Sequence, residues 1–196
     1  MEYKLILASG SPRRRQLMEG AGFNFELRVK DTPEDYPADM QPEAVPEYLA
    51  QKKAVPFKGE LKRDELLITA DTVVCIGAKI LGKPKDREDA IRILHLLSGQ
   101  KHTVVSGVCL TTVDRTLSFS VKTDVYFRPL KDTEIEYYID TFKPFDKAGA
   151  YGIQEWIGYV GIERIDGSFY NVMGLPIQVV CKYLSEFGVS PAGVSK

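Results

Sequence analysis

The chain has 196 residues, 44% of them hydrophobic and 27% charged, with 26 Lys and Arg against 27 Asp and Glu and a formal net charge of -1. That length buries a core without staples, and the composition is that of one globular domain, 1–196, rather than a disordered chain. The balanced charge excludes a bulk binder of nucleic acid or anionic membrane, while leaving room for a local basic pocket.

In chain order, Tyr3 to Ala8 predicts a buried strand. Ser9-Gly10-Ser11-Pro12 then reads as a tight loop, with Ser11 as N-cap and Pro12 in the first turn of a helix ending near Gly20 or Gly22. Phe23 to Val29 alternates as a second strand. Lys30 to Pro42 is an acidic, proline-bearing connection, and Glu43 to Val55 is helical with Pro46 in its opening turn. Leu66 to Ile76 is the longest strand-like run, interrupted by Asp71-Thr72. Asp86 to Leu97 is the clearest helix: Asp86 can cap it, Ala90, Ile93, Leu94 and Leu97 share a face, and Gly99 follows. Thr103 to Val113 and Leu117 to Phe127 form a hairpin turning near Asp114-Arg115. Thr133 to Phe142 is a helix, Lys143 to Gln154 a glycine-bearing loop, Tyr159 to Ile165 a strand, and Pro176 to Phe187 a last helix closed by Gly188. Strand and helix patterns alternating throughout predict an α/β or α+β domain.

Cys75, Cys109 and Cys181 are odd in number and far apart, with no Cys-x-x-Cys pair, which argues against a disulfide framework or a thiolate zinc site. The first apolar run is too short for a signal peptide, and no run approaches the ~20 residues of a membrane span. The expectation is a cytoplasmic protein with no membrane partner. Only His95 and His102 are present, so a multi-histidine metal site is impossible, and no Gly-x-Ser-x-Gly elbow supports a serine triad.

Four segments are candidates for chemistry. In Ser9 to Arg15 a strand feeds a small-residue loop and a helix start, where free N–H groups favour an anion. Arginines in a first turn oppose the helix dipole, so Arg13 and Arg14 need another reason: a bound phosphate, or plain solvation. The loop lacks the Gly-Lys-Ser/Thr ending of a Walker loop. Asp71, inside an apolar strand, is costly to bury unless paired, hydrogen-bonded or on a metal. Lys83, between Gly82 and Pro84, sits in a turn, where a surface role is the plainer reading. Asp146 to Gln154 carries two glycines that allow close backbone approach, and Gln154 has both donor and acceptor for a base edge; an irregular structural loop explains the segment equally well.

Together these segments resemble the Maf family of nucleoside triphosphate pyrophosphatases. The matching pieces include Ser9-Gly10-Ser11-Pro12-Arg13-Arg14, Ala70-Asp71-Thr72-Val73-Val74, Gly82-Lys83-Pro84 and Leu97 to His102. Lys122 to Val125, Asp146 to Gln154 and Gly167 to Pro176 continue them in the family's order. The resemblance implies a Maf/ITPase-like fold, with a central mixed sheet flanked by helices and two lobes around a cleft. It implies hydrolysis of a nucleoside triphosphate to monophosphate and pyrophosphate with a divalent cation, Mg2+ or Mn2+. Clearing the nucleotide pool and a homodimer are implied as well, with no stable nucleic-acid partner. Gly152-Ile153-Gln154, with Arg13 and Thr72, resembles the branch acting on dTTP and UTP. By that resemblance Asp71 is the proton acceptor, Arg13, Thr72 and Gln154 govern specificity, and Glu34, Lys53 and Lys83 fall where cleft residues lie. Ser9, Ser11 and Arg14 would hold phosphates, and Asp71 and Glu34 the metal. Glu155-Trp156-Ile157 depart from the smaller, glycine-rich sequence common after that glutamine. The competing readings are the branch acting on 7-methyl-GTP and a non-hydrolysing nucleotide- or nucleic-acid-binding regulator of cell division. Asp71 argues against the latter, because a carboxylate facing phosphates repels a ligand that is only to be bound.

Overall fold

Seven strands form one mixed sheet in the computed structural model, which describes residues 3–193. They are β1 (Lys4–Leu7), β2 (Phe25–Leu27), β3 (Glu65–Ile76), β4 (Lys79–Leu81), β5 (Lys101–Thr111), β6 (Thr116–Phe127) and β7 (Ile162–Asp166). Their order is β2-β1-β3-β5-β6-β7, with β4 paired to β3 off that path. β1 is parallel to β2 and β3, and the remaining pairings are antiparallel. The helices are α1 (Pro12–Gly20), α2 (Val45–Ala54), α3 (Arg87–Leu97), α4 (Asp132–Phe142), α5 (Trp156–Gly161), α6 (Phe169–Met173) and α7 (Ile177–Glu186). The mixed sheet with flanking helices is the architecture the sequence predicts.

β3 is apolar without alternation because both of its faces are covered. Leu66, Ile68, Ala70 and Val74 join the main core with residues of α1, α3, α4 and α7. Leu67 packs with Ala50 and Ala54, and Val73 and Cys75 with Val45 and Leu49, so α2 covers the other face. Two features press α2 onto the sheet there. Thr69 Oγ1 donates to the Ala50 carbonyl at 2.6 Å. Gly107, the register partner of Asp71, leaves room for the chain at Pro46 and Glu47, whose backbone a Cβ would overlap.

Two short elements differ from the sequence reading. Tyr159 to Gly161, read as strand, belong to α5, and β7 begins at Ile162. Gly158 permits this, since a Cβ there would overlap the Ile153 carbonyl, and Arg128 Nε satisfies the Val160 carbonyl at 2.6 Å. α6 was not foreseen; Ser168 caps it by accepting the Asn171 N–H at 3.3 Å, and Gly174, at φ 118°, ends it. Asn171 is fully buried and anchors α6, its Nδ2 reaching the Val104 and Val121 carbonyls and Thr123 Oγ1 at 3.0–3.2 Å. By contrast α3 has the expected cap, with Asp86 accepting the Asp89 N–H at 2.8 Å.

Gly107→Ala is expected to push α2 off the sheet, because the clash is with backbone and no rotamer relieves it. Overpacking of this kind costs about 1–3 kcal/mol, or several degrees of Tm at this chain length, at ~2–4 °C per kcal/mol. Thermal unfolding followed by circular dichroism checks it; an unchanged Tm would show that α2 does not rest on Gly107.

Candidate active site

The site begins with a gap in the sheet. β1 ends at Leu7, opposite Ile68, and β4 meets β3 only from Val74, so that edge of β3 is bare between them. The Ala8 N–H takes the Ile68 carbonyl at 2.9 Å. The next carbonyl on the same edge, two residues on, is that of Ala70, and Arg14 Nη1 takes it at 2.8 Å.

Arg14 makes three further bonds from the first turn of α1. Nε donates to the Gly174 carbonyl at 2.8 Å, Nη2 to Thr72 Oγ1 at 3.1 Å, and Nη1 to Ser9 Oγ at 3.4 Å. Arg13 Nε donates to the Met173 carbonyl at 3.2 Å. The arginines therefore face the carbonyl end of α6, where cations are favoured. This is a third answer to their unfavourable place on α1, beside phosphate and solvent. Four of the five guanidinium donors of Arg14 are bonded within the protein, leaving one N–H for a ligand. Burial lowers the pKa of Arg14, against the opposing pull of Asp71.

Asp71 and Thr72 are neighbours on β3 and point to opposite faces. Thr72 Oγ1 lies 2.8 Å from Ser106 Oγ and 3.2 Å from the Gly174 carbonyl. Asp71, only 7% exposed, faces α2. Lys53 Nζ donates to Asp71 Oδ1 at 2.5 Å and to Glu34 Oε1 at 2.8 Å, so one ammonium joins the strand carboxylate to the exposed loop carboxylate. Burial raises the Asp71 pKa, against the opposing pull of Lys53 and Arg14. The Glu34 carboxyl is lowered, chiefly by the hydrogen bond from Lys53. The linkage signs are therefore opposite. The raised Asp71 pKa contributes stability that is lost as pH rises through it, and the depressed Glu34 pKa stability that is lost as pH falls through it.

These groups line one cleft of about 840 Å³, which contains Ser9, Ser11, Arg13, Arg14, Glu34, Lys53, Asp71, Thr72 and Lys83. Ser11 caps α1, and its own N–H donates to Ser9 Oγ at 3.3 Å. Lys83 is exposed in the turn after β4. Gln154 lies elsewhere: it lines a neighbouring pocket of about 550 Å³ that shares Ile153 with the cleft. Asp146 was not singled out, yet it lines the cleft and faces Arg13 Nη1 at 3.8 Å. Ser106 was missed as well; no local pattern distinguishes it from any other strand serine. The histidines lie outside the cleft lining. His95 faces Asp132 at 3.7 Å, and His102 is buried against Tyr151 Oη at 2.7 Å, with its pKa lowered to about 4 by burial.

The divalent cation that the resemblance implies fits this donor set. Asp71 and Glu34 supply hard carboxylate oxygens, and among the described residues Asp71 Oδ2 and Glu34 Oε2 accept no hydrogen bond. Mg2+ is commonly held by one or two carboxylates together with phosphates and water. Among the described residues no group of three or more His, Cys, Asp or Glu is placed to hold a metal ion.

The family model described as "Maf-like protein" matches residues 4–187. The chain is 52% identical over 192 residues to a Porphyromonas gingivalis protein named dTTP/UTP pyrophosphatase, covering 96% of each. Relatives of the same name from Parabacteroides distasonis and Flavobacterium johnsoniae are 51% and 46% identical. The first of these matches 95% of this chain and 97% of its own, the second 94% and 95%. A solved structure, that of the Staphylococcus aureus Ham1 protein, is similar over 63% of this chain and 71% of its own, at 13% identity and a TM-score of 0.47.

Carbon-13 NMR of the Asp71 carboxyl is expected to show titration above the ordinary aspartate value. In Lys53→Met the midpoint should move higher still, because burial then acts with only Arg14 opposing it. A midpoint unmoved in Lys53→Met would mean that the ammonium does not hold the carboxylate in solution.

Proposed function

The chain belongs to the Maf family, and from that footing we infer that it hydrolyses nucleoside triphosphates, dTTP and UTP foremost, to the monophosphate and pyrophosphate. The observation that carries this is Asp71: a buried carboxylate, basic through burial yet held beside Lys53 and Arg14 in a cleft lined by further cations. Residues 1–196 act as one domain in this reading.

A triphosphate brings about four negative charges. Arg13, Lys53 and Lys83 receive them from three separate elements, with Arg14 adding its charge and its one remaining donor. The Ser9 and Ser11 hydroxyls and the Arg13 N–H in the first turn of α1 orient phosphate oxygens. Asp71 accepts a proton from the water that attacks the α-phosphorus, and its raised pKa makes it a better acceptor than an ordinary aspartate. Lys53 keeps that carboxylate aligned and charged, and Glu34 sits on the same ammonium. Asp71 and Glu34 would hold a divalent cation, which would supply neutralisation of charge on the leaving pyrophosphate. The protein does little covalent chemistry, so positioning and electrostatics carry the rate.

A homodimer is part of this reading. It is supported by the aromatic surface of Tyr159, Phe169 and Tyr170, all exposed. No described helix is long and apolar enough to cross a membrane.

A panel of dTTP, UTP, CTP and 7-methyl-GTP, assayed for pyrophosphate with and without magnesium, tests the activity. In 18O-labelled water the label is expected in the monophosphate; label in the pyrophosphate would place the attack at the wrong phosphorus. Asp71→Asn is expected to lose about 10²–10⁴-fold in kcat, the range of a general base, with KM changed far less. Near-normal turnover in that variant would remove Asp71 from the role.

A further inference from the structure

The cleft wall at Gly152 and Ile153 is clamped from behind by side chains that take no part in the chemistry above. Tyr138 on α4 is fully buried. Its Oη donates to Glu155 Oε2 and accepts the Gly152 N–H at 3.0 Å. The Gly152 carbonyl accepts the Glu155 N–H, also at 3.0 Å, so this peptide segment is gripped from both sides. Lys147, only 9% exposed, pairs through Nζ with Glu155 Oε1 at 3.0 Å and Asp146 Oδ1 at 2.8 Å. The fit is close: a Cβ at Gly152 would come within 2.9 Å of Glu155 Cδ and 3.0 Å of Lys147 Cε. Glu155 is also where the chain departs from the pattern it otherwise resembles.

Gathering a buried phenol, a half-buried carboxylate and a buried ammonium stabilises little beyond what apolar packing would give. What such a network adds is direction, since its bonds are satisfied in one arrangement of the peptide. That arrangement places Ile153 on both the cleft and the neighbouring pocket, and Gln154 on that pocket. The cations lie at Arg13, Arg14, Lys53 and Lys83, so the triphosphate belongs there. The uncharged wall at Gly152 and Ile153 is left for the nucleoside.

We propose that Tyr138, Glu155 and Lys147 are positioning residues for base selection, fixing the Gly152–Gln154 segment against which pyrimidine bases are discriminated. The proposal rests on the reading of the chain as a nucleoside triphosphate pyrophosphatase.

Steady-state kinetics of the full chain on dTTP, UTP and CTP, alongside thermal unfolding, tests it. Tyr138→Phe removes one hydroxyl and leaves the Gly152 N–H and Glu155 Oε2 without their partner. The ratio of kcat/KM for dTTP over CTP is expected to fall about tenfold, a discrimination of the size one pocket contact supplies. The loss should lie in KM, with kcat on dTTP within about twofold of wild type, because the Asp71 end is untouched. Glu155→Gln keeps an acceptor for Tyr138 and should retain more of the ratio than Glu155→Ala; these two carry the comparison if Tyr138→Phe fails to fold. A wild-type ratio in Tyr138→Phe or Glu155→Ala, or a wild type indifferent to the base, overturns the proposal and leaves the pyrophosphatase reading standing. A wild type that releases pyrophosphate from no nucleotide overturns both.

Discussion

The cleft exists because one guanidinium closes an open sheet edge. A strand that continued β1 past Leu7 would satisfy the Ala70 carbonyl and fill the space where ligand must enter. Arg14 satisfies that carbonyl from the side instead, and with the same planar group holds Thr72 and the Gly174 carbonyl. Leaving a buried carbonyl bare costs about 1–3 kcal/mol, and that of Ala70 depends on this contact. A lysine could not replace it, because an ammonium has no planar fork to bridge three segments at fixed angles. The same atoms that complete the fold also set a permanent positive charge near Asp71.

That charge explains how Asp71 stays usable. Burial pushes the carboxyl up, and Lys53 and Arg14 pull it back. The balance leaves a carboxyl more basic than one in water, as general-base chemistry favours. Lys53 can do this because α2 lies close on the sheet, and α2 lies close because Gly107 has no side chain. The loop before α2 is tied down by lysines rather than by a core. Lys30 reaches the Pro56 carbonyl and Glu60, Lys52 reaches Asp35, and Lys53 reaches Glu34. An exposed segment held by ion pairs opens more readily than the strands beneath it, and this one carries Glu34.

Much of this was legible from local pattern. The long apolar run around Asp71, the Ser11-Pro12 helix start and the Asp86 cap each announce themselves over a dozen residues or fewer, and the β5–β6 hairpin over one continuous stretch of chain. The reason for the two arginines was not legible, because their partners, the carbonyls of Met173 and Gly174, lie 160 residues away in sequence. α6 was overlooked although Ser168 and Gly174 bracket it, since five residues are too few for a helical period to show. The side on which Gln154 falls depends on the backbone of the loop before it, and residue type does not encode that direction.

The Asp146–Gln154 loop ties the two ends of the cleft to each other. Gly149, at φ 71°, brings its backbone against Val74, and its N–H donates to the Gly82 carbonyl at 3.1 Å, beside Lys83. Ala150 follows at φ 57°, a left-handed conformation that costs a residue with a Cβ about 1–2 kcal/mol. A buried alanine is kept there only when its surroundings allow no alternative. The constraints come from both sides: the Lys83 turn and β3 grip Gly149, and Tyr138 with Glu155 grips Gly152. Strain held between two anchors transmits displacement from one to the other, because a packed loop has few arrangements to relax into. The turn that carries Lys83 and the wall at Gly152 and Ile153 are therefore two ends of one constrained loop.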